Sequence, residues 1–324
     1  MNQDLIKTIK ENYQININNM TQIEEGTSTL YNIDNKYVLK IYPKVYKKQD
    51  IEKEVNITKF LNANGINTTN FLKTKANNYY FKYNEKIAVL EYFITGNNKP
   101  NYSLNKEEML EAATLLGQII KALEKFKAAP TYNWQDKITK DSFKKAIIKH
   151  QDLLNRTNNP IIIKDLKAKI EMLNSVITNQ TFKNINNMTT KVTHGDYGLP
   201  QLIYENNKIK AIIDFIGAGY LPISWEIIRS YTSMDKKSKD GKIDINNLKA
   251  YIQAVNQYIF LTKEDLMYMP HIYLGKLLQS TFGYREYLET KDLKLLEFGR
   301  WRTKMCNYLL ENLDYLSSEL SKIK

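Results

Sequence analysis

The feature that most constrains this chain is the run Thr193-His194-Gly195-Asp196-Tyr197-Gly198-Leu199-Pro200-Gln201. It continues through Leu202 to Tyr204, a polar Glu205-Asn206-Asn207 break, and Lys208-Ile209-Lys210-Ala211-Ile212-Ile213-Asp214-Phe215. Two β-like runs flank an Asn-Asn dipeptide, and asparagine tolerates the positive φ that a two-residue turn requires, so the segment reads as a hairpin. With Asn206 and Asn207 as the turn, Glu205 faces Lys208 and Gln201 faces Ile212. Asp214 then becomes the diagonal same-face neighbour of Gln201. Asp196 precedes the first strand in a glycine-flanked loop that can bend toward the same spot. Two carboxylates and an amide oxygen suit a hard cation such as Mg²⁺ together with a phosphate ester, with one carboxylate free to act as base.

His194-Gly195-Asp196, the polar residue five positions after that aspartate, the hairpin and Ile213-Asp214-Phe215 together resemble the catalytic core of aminoglycoside phosphotransferase and choline kinase relatives. These are small-molecule kinases with the protein-kinase fold. The resemblance implies that Asp196 orients or deprotonates the acceptor hydroxyl, while Gln201 and Asp214 hold Mg²⁺ on the nucleotide phosphates. Gln201 stands where such relatives usually carry Asn; its extra methylene lets the amide reach farther but fixes it less well. A His-Gly-Asp tripeptide alone also serves as an ordinary turn, and an Asp ending a strand as a cap. It is their order around one hairpin that carries the reading. A protein kinase is disfavoured, because Gly195 stands where those enzymes usually have Arg and the segment after Asp214 is short for an activation loop.

Upstream, Asp4 to Tyr13 reads as a short helix and Ile15 to Glu25 as extended chain. Glu25-Gly26-Thr27-Ser28-Thr29 precedes Leu30 to Ile33, an Asp34-Asn35 turn and the strand Lys36 to Tyr42. That two-residue turn places Thr29 opposite Lys40. A small-residue loop offering N–H groups then lies beside an ammonium, a cradle for phosphates. The segment is similar to the family's nucleotide loop and lysine strand, which implies nucleotide contacts for Gly26, Thr27, Ser28 and Lys40. Tyr46 to Asn62 reads as a helix with Ile51, Val55, Thr58 and Leu61 facing inward. Glu54 borders that stripe and is preferred over Glu52 as the partner of Lys40; Glu54-Val55 resembles the family's pairing glutamate. Asn64-Gly65 ends the helix, and Tyr79 to Tyr83 with Lys86 to Phe93 makes another hairpin.

Gly96 to Pro100 is the candidate hinge; in folds of the family it resembles, the strand entering the hinge presents backbone groups to the nucleotide base, which implies that role for the backbone of Glu91, Tyr92 and Phe93. Asn105 is expected to cap the next helix, with Glu108 as its capping-box partner. Helices are expected over Leu110–Phe126, Asp141–Leu154 and Ile161–Val176. After Asp214, Phe215 to Pro222 reads as an irregular loop and Ile223 to Tyr231 as a helix; family members commonly place an Asp at this helix start to hold the catalytic loop, and the resemblance implies that supporting role for Glu226, the nearest acid. Long helices are expected over Leu248–Phe260, Leu266–Leu288 and Leu293–Ile323. His271, Tyr273, Arg285 and Trp301 are candidates either for an acceptor pocket or for core.

At 324 residues the chain exceeds one typical core. We expect an α+β, bilobal, protein-kinase-like fold, with residues 1–95 as the nucleotide-binding lobe and 96–324 as the catalytic and acceptor-binding lobe. No window approaches the roughly 18 consecutive apolar residues of a membrane span and the first ten residues lack a signal-peptide core, so a cytoplasmic location is expected. One cysteine, Cys306, excludes an intramolecular disulfide and reads as core. The net charge of +12 is spread among Asn and Ile residues rather than clustered, so no nucleic-acid partner is expected. The expected activity is Mg²⁺-assisted transfer of the γ-phosphate of ATP or GTP to a hydroxyl of a small-molecule metabolite or antibiotic. Residues from Met234 onward carry slightly more Lys and Arg than Asp and Glu, which favours a neutral, zwitterionic or anionic acceptor over a polycation. The competing readings are a nucleotide binder without turnover, motivated by Gln201, and an RNA-binding protein, motivated by charge alone.

Overall fold

The computed structural model describes residues 3–23, 27–126, 134–183, 185 and 187–323. The elements begin with α1 (Gln3–Asn12), β1 (Met20–Ile23), β2 (Thr29–Ile33), β3 (Tyr37–Ile41), α2 (Lys48–Ala63), β4 (Phe81–Tyr83) and β5 (Lys86–Tyr92). There follow α3 (Lys106–Leu123), α4 (Lys140–Leu154), α5 (Pro160–Thr178), β6 (Thr190–Thr193), β7 (Leu202–Glu205), β8 (Lys208–Ile212) and β9 (Gly219–Pro222). The rest is helical: α6 (Ile223–Met234), α7 (Ile245–Asn256), α8 (Lys263–Met267), α9 (Met269–Gln279), α10 (Tyr284–Thr290), α11 (Leu293–Glu311) and α12 (Leu313–Leu320). The class is α+β, as expected. Among the described residues no helix is long and apolar enough to cross a membrane.

The chain divides into two compact units. One comprises Met1–Lys99, Lys125–Ala128 and Pro200–Ala218, and the other Pro100–Glu124, Ala129–Leu199 and Gly219–Lys324. The hairpin that carries Gln201 and Asp214 thus belongs to the same unit as Lys40.

In the first unit an antiparallel sheet runs in the order β1-β2-β3-β5-β4. Its two faces follow from the alternation of side chains along a strand. Leu39 and Ile41 of β3 and Ala88 and Leu90 of β5 pack with Leu5 and Ile9 of α1. The intervening Val89, together with Tyr42 just beyond β3, packs with Ile51 and Val55 of α2 on the other face. Lys40 alternates with Leu39 and Ile41, so it falls on the α2 side.

Two registers differ from expectation. Asp34 and Asn35 both adopt positive φ, and Lys36 joins them in the turn, so Ile33 pairs with Tyr37 and Leu30, not Thr29, lies opposite Lys40. The Asp34 carboxylate accepts the N–H groups of Asn18 and Asn19 at 3.0 and 2.7 Å, which holds the wider turn. In the β7–β8 hairpin Asn206 and Asn207 do form the turn, with φ of 51° and 61°, and Glu205 pairs with Lys208. Lys210 then inserts as a bulge, so Leu202 rather than Gln201 faces Ile212. Gln201 ends a single 3₁₀ turn, and its carbonyl accepts Ile213 N–H at 2.9 Å.

The candidate hinge is stitched to β7. Asn97 and Tyr204 exchange backbone hydrogen bonds of 2.9 Å each, and a Cβ at Gly96 would lie 2.6 Å from the Tyr204 carbonyl oxygen.

The second unit is mainly helical. Asn105 caps α3 through the capping box with Glu108, as expected. The supposed loop after Phe215 contains a strand, β9, which pairs antiparallel with β6. The expected Leu266–Leu288 helix is broken by Pro270, which has no N–H to continue α8, and by Gly283 at φ 99°. The Leu293–Ile323 helix breaks at Asn312, whose side-chain amide bonds the Tyr308 carbonyl at 2.9 Å and so competes with the backbone ladder. Cys306 is buried.

Candidate active site

In the first unit three charged side chains meet. Lys40 Nζ lies 3.2 Å from Glu54 Oε1 and 2.7 Å from Asp214 Oδ1. Glu54 follows Ile51 by three residues on α2, so it shares the buried stripe, whereas Glu52 points outward and pairs with Lys48 at 3.4 Å. The second Glu54 oxygen accepts the Tyr42 hydroxyl at 2.7 Å. Sequence reasoning passed over Tyr42, although its position two residues after Lys40 was the available signal. Asp214 follows β8 in the left-handed region, at φ 69°. That conformation turns the chain into the 3₁₀ turn Phe215–Gly217, and Lys53 Nζ holds the Ile216 carbonyl at 3.3 Å.

The electrostatics are unequal. Burial alone would lower the Lys40 pKa, but the carboxylates of Glu54 and Asp214 outweigh it and raise the pKa well above the usual lysine range. Burial pushes Glu54 up, against the pull of Lys40. Glu91 sits opposite Val38, diagonal to Lys40 on the same face of the sheet, and burial raises its pKa to about 8. Glu54 and Asp214 thus face one ammonium, that of Lys40, with Glu91 held toward its protonated form. Backbone donors near the expected base contact are already engaged, since Tyr92 N–H bonds Asn70 O and Phe93 N–H bonds Lys36 O, each at 2.9 Å. Thr27 and Ser28 lie in a bend before β2, and Gly26 falls outside the described residues.

In the second unit β6 delivers His194-Gly195-Asp196 into a loop organised by one buried acid. Glu226, on the first turn of α6, accepts Thr193 Oγ1 at 2.8 Å, Gly195 N–H at 2.6 Å and Tyr197 N–H at 2.9 Å. Burial raises the Glu226 pKa and those donors oppose the rise. Gly195 takes φ 80°, a conformation that favours glycine. Tyr197 is fully buried and its hydroxyl anchors the loop to the Ala112 carbonyl at 2.7 Å. The Asp196 carboxylate stays half exposed and pairs with Arg229, which also donates to the Tyr197 carbonyl at 3.1 Å. Arg229 was missed in the sequence. It lies three residues after Glu226, one turn along the same helix, and nothing local marks its partner.

Glu226→Ala would strand three donors at once. We expect it to destabilise the protein by about 3 kcal/mol or more, from the usual penalty of unsatisfied buried groups. Turnover should fall with it, while Glu226→Gln, which keeps one acceptor oxygen, should lose less. Urea unfolding of both variants checks the order.

The first unit thus holds a buried lysine paired with two carboxylates, and the second a loop-borne aspartate paired with an arginine. The sequence model described as the phosphotransferase enzyme family matches residues 19–255. The chain belongs to this family. As a member of it, the protein is a phosphotransferase. No curated protein sequence matches the chain. Several solved structures share the fold of this phosphotransferase. An amicoumacin kinase in complex with AMP-PNP, Ca²⁺ and Ami aligns with a TM-score of 0.68 at 11% identity, over 94% of this chain and 93% of that one. A microcompartment-associated aminopropanol kinase aligns at 0.66 and 12%, over 100% of both chains. A spectinomycin phosphotransferase in complex with ADP and its antibiotic aligns at 0.61 and 15%, over 98% of both. At these identities the likeness is one of fold, the protein-kinase-like α+β fold.

Proposed function

We propose that this phosphotransferase moves the γ-phosphoryl group of ATP or GTP to a hydroxyl of a small molecule, with Mg²⁺ as the counter-ion. The observation that carries the reading is that one buried lysine touches both Glu54 and Asp214. A lysine held between a helix glutamate and a turn aspartate is a fixed ammonium, available to an anionic oxygen without rearrangement. In this reading residues 1–95, with the hairpin of Gln201 and Asp214, form the nucleotide-binding lobe, and the remainder presents the acceptor. A nucleoside triphosphate donor would go with a cytoplasmic location, which is part of this proposal.

The residues fit the metal. Asp214 offers a carboxylate that is 37% exposed, and Gln201 offers an amide oxygen. Among the described residues no cluster of three or more His, Cys, Asp or Glu could cage a metal alone. Mg²⁺ takes one or two protein oxygens and completes its shell with phosphates and water. When bound, it would neutralise charge on the phosphates. Lys40 then draws the phosphate oxygens into place, Glu54 and Tyr42 keep Lys40 from swinging, and Asp196 accepts the proton of the attacking hydroxyl.

The test is a panel of metabolite and antibiotic alcohols scored for acceptor-dependent nucleotide consumption, with products identified by mass. Consumption without any phosphorylated product would sink the proposal. Two variants probe the metal. Asp214→Asn is expected to abolish the Mg²⁺ dependence of nucleotide binding in calorimetric titration, with the fold intact. Gln201→Ala should raise the Mg²⁺ requirement, and Gln201→Asn should retain or improve activity. A Gln201→Ala variant with an unchanged Mg²⁺ titration would remove that residue from the metal site.

A further inference from the structure

In the second unit, the cation Arg302 makes no ion pair among the described residues. Arg302, on α11, has its Nε buried with no hydrogen-bond partner. Among the described residues its guanidinium makes no ion pair; its neighbours are rings, Phe298 at 5.3 Å and Phe282 at 5.9 Å from their centroids. Phe282 packs edge-on to Phe298, and Phe298 stacks on Trp301 at 5.6 Å and 17°. Trp301 in turn lies 6.2 Å from Tyr102. Glu286 bears on Arg302 electrostatically, but it is already bound to Arg285 and to Gly283 N–H.

The surroundings add positive charge. Lys169 is buried and spends its ammonium on the carbonyls of Leu277 and Ser280, both at 2.9 Å, rather than on a carboxylate. Its pKa is lowered to about 8 by burial, an effect to which Arg302 adds. Arg229, the partner of Asp196, is lowered to about 10, again by burial with Arg302 contributing. Arg302 is thus within electrostatic reach of the group that holds Asp196. Both arginines act on Tyr273, whose hydroxyl is tied to Thr232 at 2.7 Å.

Arg302 as a whole is only partly buried, but its Nε has given up water for no hydrogen bond and no anion, with aromatic faces beside it. Such an arrangement is retained where a ligand supplies the missing charge. The flat fork of arginine matches a carboxylate or phosphate with two parallel hydrogen bonds. Resting on the assignment of Asp196 as the acceptor-side aspartate, we propose that Arg302 is the anion anchor of the acceptor site. The acceptor is then an alcohol that carries a carboxylate or phosphate on an apolar body, the body lying against Phe282, Phe298 and Trp301. Polycationic antibiotics are excluded by the same charge.

A matched set of probes tests this: para-(hydroxymethyl)benzoate, its methyl ester, para-(hydroxymethyl)benzylamine and para-(hydroxymethyl)phenylphosphonate. Calorimetry on the full chain is expected to show the acid or the phosphonate binding on the order of 10- to 100-fold more tightly than the ester, with the amine weakest. The better of the two anions tells carboxylate from phosphate. Arg302→Gln should erase the preference, and Arg302→Lys should keep part of it. Equal affinity for acid, ester and amine, or a preference that survives in Arg302→Gln and Arg302→Lys alike, overturns the anchor. An Arg302-dependent preference without phosphoryl transfer to any probe upholds the anchor and counts against Asp196 as the acceptor-side residue.

Discussion

Lys40→Ala is expected to lose both stability and phosphoryl transfer, and by separable amounts. Glu54 is 1% exposed and keeps only the Tyr42 hydroxyl once the ammonium is gone. Breaking a buried pair by removing one partner typically costs about 3–5 kcal/mol, because a charge remains buried without compensation. Asp214 adds little to that loss, since its side chain is 37% exposed and water can replace Lys40. Transfer should fall about 10²–10³-fold, the scale of losing one fixed electrostatic contact to a transferring group. The double variant Lys40→Met with Glu54→Gln separates the two effects. It removes both buried charges, and the amide introduced by Glu54→Gln still offers an oxygen to Tyr42, so stability should largely return while transfer stays low. Unfolding in urea and initial rates on the same preparations read both quantities. Wild-type kinetics in Lys40→Ala would remove this lysine from the site.

What could be read from the chain beforehand depended on whether the cause was local. The Asn206-Asn207 turn, the Asn105 capping box and the α2 stripe rest on residues within a turn or two of one another, and the structure contains all three. The same stripe singled out Glu54 over Glu52, and the ion pair forms at Glu54. Features set by distant partners were not legible. β9 has a Gly-Tyr-Leu-Pro sequence with little strand character, and exists because β6 offers it an edge. The Lys210 bulge moves Gln201 out of the ladder; its local cause involves Asn67, whose side-chain amide takes the Lys210 carbonyl at 3.2 Å and whose own carbonyl takes Ile212 N–H at 3.0 Å. Arg229 meets Asp196 across more than thirty residues of chain, and Arg302 is informative only because its Nε finds no hydrogen-bond partner among the described residues. Helical periodicity placed Tyr273 and Trp301 equally in core or pocket. The structure sets both beside the arginines, whereas His271 packs on Phe182 and Tyr268, and Arg285 turns outward to Glu286.

Asp196→Asn should divide binding from turnover. The substitution keeps the shape of the side chain and leaves untouched the three hydrogen bonds by which Glu226 shapes the loop. Nucleotide affinity is therefore expected to stay at the wild-type value, because Lys40, Glu54 and Asp214 are unchanged. The lost function is acceptance of the hydroxyl proton, worth about 10²–10⁴-fold in turnover when supplied by a positioned base. Arg229 loses its ionic partner in this variant, but it is partly open to solvent and still holds the Tyr197 carbonyl, so the loop should survive. Arg229→Gln is the matching control: it removes the ion pair of Arg229 with Asp196 without neutralising the carboxylate. If Arg229 only positions the carboxylate, that variant should raise KM for the acceptor more than it lowers kcat, whereas Asp196→Asn should lower kcat with KM nearly constant. Measuring donor affinity by calorimetry and turnover by product mass on both variants distinguishes these roles. An Asp196→Asn enzyme as active as wild type would show that the proton leaves by another route and that this aspartate is a structural residue of the loop.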